Sequence, residues 1–158
     1  MQVLYALDAQ ASFDDPQVVV DELVRFWRSF EGKADADVVE FCEVLVWGVV
    51  QNLETLDAMI RSASKNWRME RMSRVDRNLL RLACCELRVV KEVPTNVVFN
   101  EAIELAKRFG TAESASFVNG LLDKIARAET EGGDPPGSVD GSESESREDR
   151  DHDGDDSG

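Results

Sequence analysis

Apolar side chains spaced three and four residues apart, repeated between isolated prolines and glycines, restrict residues 1 to 128 to helices. Val3, Leu4 and Leu7 share one face of a first helix that no capping residue precedes. Pro16 opens a second, carrying Val19, Leu23, Phe26 and Phe30 and closed by Gly32. A third begins near Asp37, runs through Val38, Phe41, Leu45 and Val49, and continues past Leu53, Leu56 and Ile60 with a bend near Gly48 or Asn52. Trp67 is expected to fill the join after it. Ser73 and Asp76 form an S-x-x-D start signal for a fourth helix. Pro94 begins a fifth, striped by Val98, Ala102, Leu105 and Phe109 and ended by Gly110. Thr111 caps a sixth, striped by Val118, Leu121, Leu122 and Ile125. Strict two-residue alternation bounded by turns is missing, so the expectation is an all-α fold, six helices in a compact helical bundle.

Charge separates residues 1–128 from the rest of the chain. Residues 129–158 hold 12 acidic side chains against Arg147 and Arg150, with a lone Val139 among glycine, serine and proline, a composition too polar to offset the entropy of ordering. They read as a disordered acidic tail. The chain's net charge of -14 therefore leaves only -4 on residues 1–128, a single domain of mildly acidic character. Three cysteines, Cys42, Cys84 and Cys85, form no CxxC pair and have no histidine nearby, which fits reduced cytosolic thiols and no metal site. The longest apolar or glycine run, Val44 to Val50, is far short of a membrane span, and no basic signal-peptide start is present, so a soluble cytoplasmic protein is expected.

Catalysis has little to draw on. The only histidine, His152, lies in the tail, the serines and cysteines have no base at a recognisable spacing, and the isolated glycines make no phosphate-cradling loop, so neither enzyme nor cofactor is expected. The informative anomaly is a basic middle. Arg61 to Lys91 holds nine basic residues against Glu70, Asp76 and Glu86. At about 100° per residue, Arg74, Arg77, Arg81 and Arg88 line one side of the fourth helix, opposite Leu79, Leu80, Ala83, Leu87 and Val90. Such a stripe either contacts phosphates or an acidic partner, or pairs internally with acids such as Glu101 and Glu104. In the turn KRFGTAES, Lys107 and Arg108 precede Gly110 and a fresh helix start able to hold an anion, while Phe117 one turn on is either core or a stacking surface for an unpaired base.

These residues carry a resemblance. WRMERMSRVDRNLLRLACCEL (Trp67 to Leu87), VPTNVVFNEAIELAKRFG (Val93 to Gly110) and FVNGLLDKIAR (Phe117 to Arg127) resemble the NusB family of transcription antitermination factors in order and spacing, as does MQVLYALD. The resemblance implies an all-α fold of two helical subdomains that binds boxA RNA of ribosomal RNA operons together with the ribosomal protein NusE, within an RNA polymerase antitermination complex. It further implies NusE-facing roles for Glu70, Arg71 and Asp76, and RNA-proximal roles for Glu113 and Phe117, beside Lys107, Arg108 and Gly110 of the basic turn.

One departure stands out. The family's first helix opens with an arginine-rich RNA-contacting stretch, whereas here no basic residue occurs before Arg25. Each missing phosphate contact lowers the salt slope by about one unit, so the sequence as written predicts weak RNA binding, and a misassigned start codon is the expectation, which an in-frame stop just upstream would overturn. The acidic tail either solubilises the protein or folds over the basic stripe in competition with RNA. Two other functional readings stay open: a helical protein-binding module without RNA binding, and a stand-alone relative of the NusB-like front end of a ribosomal RNA cytosine methyltransferase.

Overall fold

The computed structural model describes residues 1–30, 33–65 and 67–131, and for 129–131 the backbone alone. Seven α-helices follow one another among these residues: α1 (Gln2–Gln10), α2 (Pro16–Arg28), α3 (Ala36–Gln51), α4 (Leu53–Ala63), α5 (Arg74–Cys85), α6 (Thr95–Phe109) and α7 (Ser114–Glu131). A single 3-10 turn, Met69–Arg71, precedes α5, and a π-helical turn, Glu86–Val90, prolongs it. The helix closure expected at Gly32 lies outside the described residues, as does all of the tail expected at residues 129–158 except 129–131, over which α7 runs three residues past the boundary expected at Ala128.

Seven helices stand where six were expected because the long third one breaks. Asn52 leaves helical geometry at φ -114°, ψ 17°, and its Nδ2 donates to the Gly48 carbonyl at 2.9 Å. That bond satisfies an orphan carbonyl at the end of α3, the competition between side chain and backbone that makes asparagine a helix breaker. Two other starts follow the sequence. Asp15 accepts from the amides of Gln17 and Val18 ahead of Pro16, and Ser73 Oγ accepts from the Asp76 amide at 3.0 Å.

The core is continuous. Val3, Leu4 and Leu7 from α1, Val19 and Leu23 from α2, Val49 from α3, Leu56 and Ile60 from α4, Val98, Ala102 and Ala106 from α6, and the α7 stripe all join one apolar cluster. Its axis is α5, which packs against α1, α3, α4, α6 and α7, while α1 pairs with α2 and α6 with α7. The two groups of helices thus meet across a shared central helix. Only the second half of the α3 stripe is used: Leu45 and Val49 are buried, but Val38 and Phe41 are exposed. On α6, Ala106 is fully buried and Phe109, expected in that stripe, is exposed.

Tight contact marks one helix crossing. A Cβ at Gly48 would sit 2.7 Å from Cys85 Sγ, so the missing side chain lets α3 approach α5. Cys84 and Cys85 are completely buried, none of the three cysteines forms a disulfide, and burial followed by the Glu86 charge pushes the Cys85 thiol up to about 11. They are packing residues. No helix among the described residues is long and apolar enough to cross a membrane.

Candidate functional site

The expected basic stripe on α5 is only half a surface. Arg81 is buried and grips Asp57 of α4 with two parallel bonds, Nε to Oδ1 at 2.7 Å and Nη2 to Oδ2 at 2.9 Å, and its Nη1 lies 3.5 Å from Asp8 of α1. Arg77 Nε donates to Asp8 Oδ2 at 2.7 Å, and Asn78 Nδ2 reaches the same oxygen at 2.8 Å. Phe13 covers the Arg81 guanidinium at 5.1 Å. Burial alone would raise the Asp8 carboxyl, but the bonds from Arg77 and Asn78 and the charges of Arg77 and Arg81 outweigh it and hold Asp8 below its ordinary value. Arg77 and Arg81 are therefore structural, with Asp8 and Asp57 as partners instead of Glu101 and Glu104. The reason is that α5 is covered on nearly every side, so its polar face also meets neighbouring helices. Arg74 and Arg88 remain exposed.

At the α6–α7 turn, Lys107 and Arg108 end α6 with exposed side chains. Lys107 Nζ pairs with Glu104 Oε1 at 2.6 Å, and the Arg108 guanidinium lies over the Phe109 ring at 5.2 Å. Gly110 has φ -93°, which any residue adopts; what it supplies is space, since a Cβ there would collide with the Ser114 side chain and lie 2.7 Å from the Ala106 carbonyl oxygen. Thr111 does not cap α7 as expected. Its amide donates to Ser114 Oγ at 2.9 Å, and its hydroxyl donates to Glu113 Oε2 at 3.1 Å. The buried Ser114 thus pins the turn from inside α7, and the Glu113 carboxylate stands next to the helix start.

Of the two readings the sequence left open for Phe117, the structure bears on the core one. It is half-buried against the core, and its ring meets Trp67 edge to face with centroids 6.2 Å apart and planes at 62°. Trp67 is 53% exposed and so fills no join. It presents an indole at the surface, in a segment that also carries exposed Lys65, Arg68 and Arg71. This pairing was missed in the sequence. The signal available was a tryptophan inside a run of basic residues, the composition of a stacking surface.

The remaining three residues sit around the 3-10 turn. Glu70 and Arg71 are exposed, with Glu70 Oε2 3.5 Å from Arg68 Nε. Asp76 is 8% exposed, and its Oδ1 is buried without a hydrogen-bond partner. The expected start signal forms, since Ser73 accepts from the Asp76 amide and the Asp76 carboxylate stands in the first turn of α5, at the positive end of the helix.

A set of helices packed around one central helix, with basic and aromatic side chains on the surface, places the described residues in the class of all-α helical bundles. The chain belongs to the NusB family, whose model matches residues 1–127. A transcription antitermination protein NusB from Anaeromyxobacter dehalogenans is 48% identical over 126 residues, spanning 80% of this chain and 84% of that protein. A T. maritima NusB structure superposes with a TM-score of 0.67 at 35% identity, covering 80% of this chain and 84% of that one. The crystal structure of antitermination factors NusB and NusE in complex with dsRNA superposes with a TM-score of 0.67 at 27% identity, covering 80% of this chain and 89% of that one.

Proposed function

We propose that this chain is a non-enzymatic cytoplasmic transcription antitermination factor that binds boxA RNA of ribosomal RNA operons together with NusE, as part of an RNA polymerase complex that sustains ribosomal RNA transcription. The observation that carries this reading is the likeness, over most of both chains, to a NusB that was crystallised with NusE and RNA. Within the chain, RNA contacts fall to Lys107, Arg108 and the backbone around Gly110, with Glu113 ordering the turn and Phe117 supporting Trp67 as a stacking platform. Stacking of one base on an aromatic contributes about 1–3 kcal/mol. The NusE contact falls to Glu70, Arg71 and Asp76 beside the 3-10 turn, where a donor brought by the partner would relieve the unpaired Asp76 oxygen.

The test is salt-dependent binding of boxA RNA to this protein mixed with NusE. Affinity is expected to fall as salt rises, with Trp67→Ala and Phe117→Ala weakening binding while Glu70→Lys weakens NusE association. NusE binding to which RNA adds nothing, at any salt, would establish a protein-binding module instead.

A further inference from the structure

Between α4 and α7 lies a groove of about 880 Å³ that the functional reading does not use. Its floor is apolar, formed by Met59, Ala63 and Ile125, and its rim carries the exposed basic side chains Lys65, Arg88 and Lys124. Such a groove suits an occupant that carries both apolar and negatively charged side chains. The chain contains such a segment, Asp134–Asp140 (DPPGSVD), in which Pro135, Pro136 and Val139 are the apolar residues and two aspartates flank them. We infer that this segment docks in the α4–α7 groove, with Val139 on the Met59–Ile125 floor and the flanking carboxylates at the basic rim.

Chain geometry permits it. Ala128 lines the groove, and α7 ends at Glu131, roughly 5 Å further along the helix axis. Gly132 and Gly133 follow in the sequence, the residue type that allows a chain to reverse with least steric cost. An extended chain covers about 3.3 Å per residue, so seven residues span roughly 20 Å, enough to run the length of a groove lined from Thr55 to Lys65. Beyond residue 140 the chain holds eight more acids against two arginines, which adds long-range attraction to the rim. A pre-tethered segment needs little intrinsic affinity, since its effective concentration is of millimolar order.

Nuclear magnetic resonance on the full 158-residue chain tests this directly. Cross-peaks between the Val139 methyls and those of Met59 and Ile125 are expected, independent of protein concentration. Val139→Asp, outside the folded helices, should abolish them and shift the groove resonances; Lys124→Glu should weaken them. Random-coil shifts for residues 134–140, with groove resonances unmoved by Val139→Asp, would overturn the inference. So would cross-peaks that vanish on dilution, which assign the segment to a neighbouring copy. A single-stranded RNA oligonucleotide that shifts Met59 and Ile125 equally in the wild type and in Val139→Asp would give the groove to RNA and likewise overturn it.

Discussion

Arg81 and Asp57 face each other as a two-bond pair inside the bundle, at 2.7 and 2.9 Å, with both side chains about nine-tenths withdrawn from solvent. This is a lock between α5 and α4, extended to α1 through Asp8. Removing one member of such a pair leaves an uncompensated buried charge, which typically costs about 3–5 kcal/mol. Arg81→Ala is expected to lower stability by that order in urea denaturation. Loss of RNA affinity with an unchanged denaturation midpoint would instead make Arg81 a ligand contact.

Acid should attack the same lock from the Asp8 side. Its folded pKa is lowered by Arg77, Asn78 and Arg81 in excess of the opposing burial. The carboxylate therefore contributes stability that is complete above its unfolded value, near 3.8, and is lost as pH falls through the lower folded value. Glu86 works in the opposite sense. Burial, then the Glu101 charge, raises its pKa, so its folded form holds a proton longer and stability is lost as pH rises from 4.5 through the folded value. Asp8→Asn should flatten the stability profile on the acid side, and Glu86→Gln should raise stability at neutral pH. Thermal unfolding from acid to neutral pH reads both slopes, and a parallel displacement of the whole curve would contradict the assignment.

The thiols should react in two classes. Cys42 is half-buried, whereas Cys84 and Cys85 are completely buried and the Cys85 thiol is pushed up to about 11. Thiolate is the reactive form, so at mildly alkaline pH the native protein should consume at most one equivalent of a thiol reagent quickly, the other two requiring denaturant. Rapid labelling of Cys85 in the native state would show that the α3–α5 crossing opens.

How much of this was legible in the sequence depended on whether a residue's role was local or not. Pro16 and Ser73 were readable as helix starts because a start is decided within a few neighbouring residues, and Leu121, Leu122 and Ile125 were readable as core because their helix has a plain apolar stripe. Arg81 was not. Its charge and spacing are those of a solvent-facing stripe, and only the arrival of Asp57 and Asp8, 24 and 73 positions away, turns it inward. Thr111 failed for the reverse reason: as a hydroxyl before a helix it looked like a cap, yet Ser114, three residues on, takes the bond from inside the helix. At the candidate site, the basic turn was visible as residue types, whereas the Trp67–Phe117 contact joins segments 50 positions apart and needed the fold.

Two glycines on either side of the α7 start provide the last test, because they should respond in opposite directions to the same change. A Cβ on Gly110 would strike the Ser114 side chain and crowd the Ala106 carbonyl, and neither the buried Ser114 nor the α6 backbone can yield cheaply. Gly110→Ala should therefore destabilise by about 1–3 kcal/mol, the cost of overpacking a close contact. It should also loosen the Thr111–Ser114 bond that holds the turn. Gly120 lies within α7 with nothing within 4 Å of the added carbon. There the only change is the better helix propensity of alanine, about 0.8–1 kcal/mol in favour of the variant. Paired denaturation curves measure both. Equal shifts for the two variants would mean that the α6–α7 turn is looser than the contacts at Gly110 require.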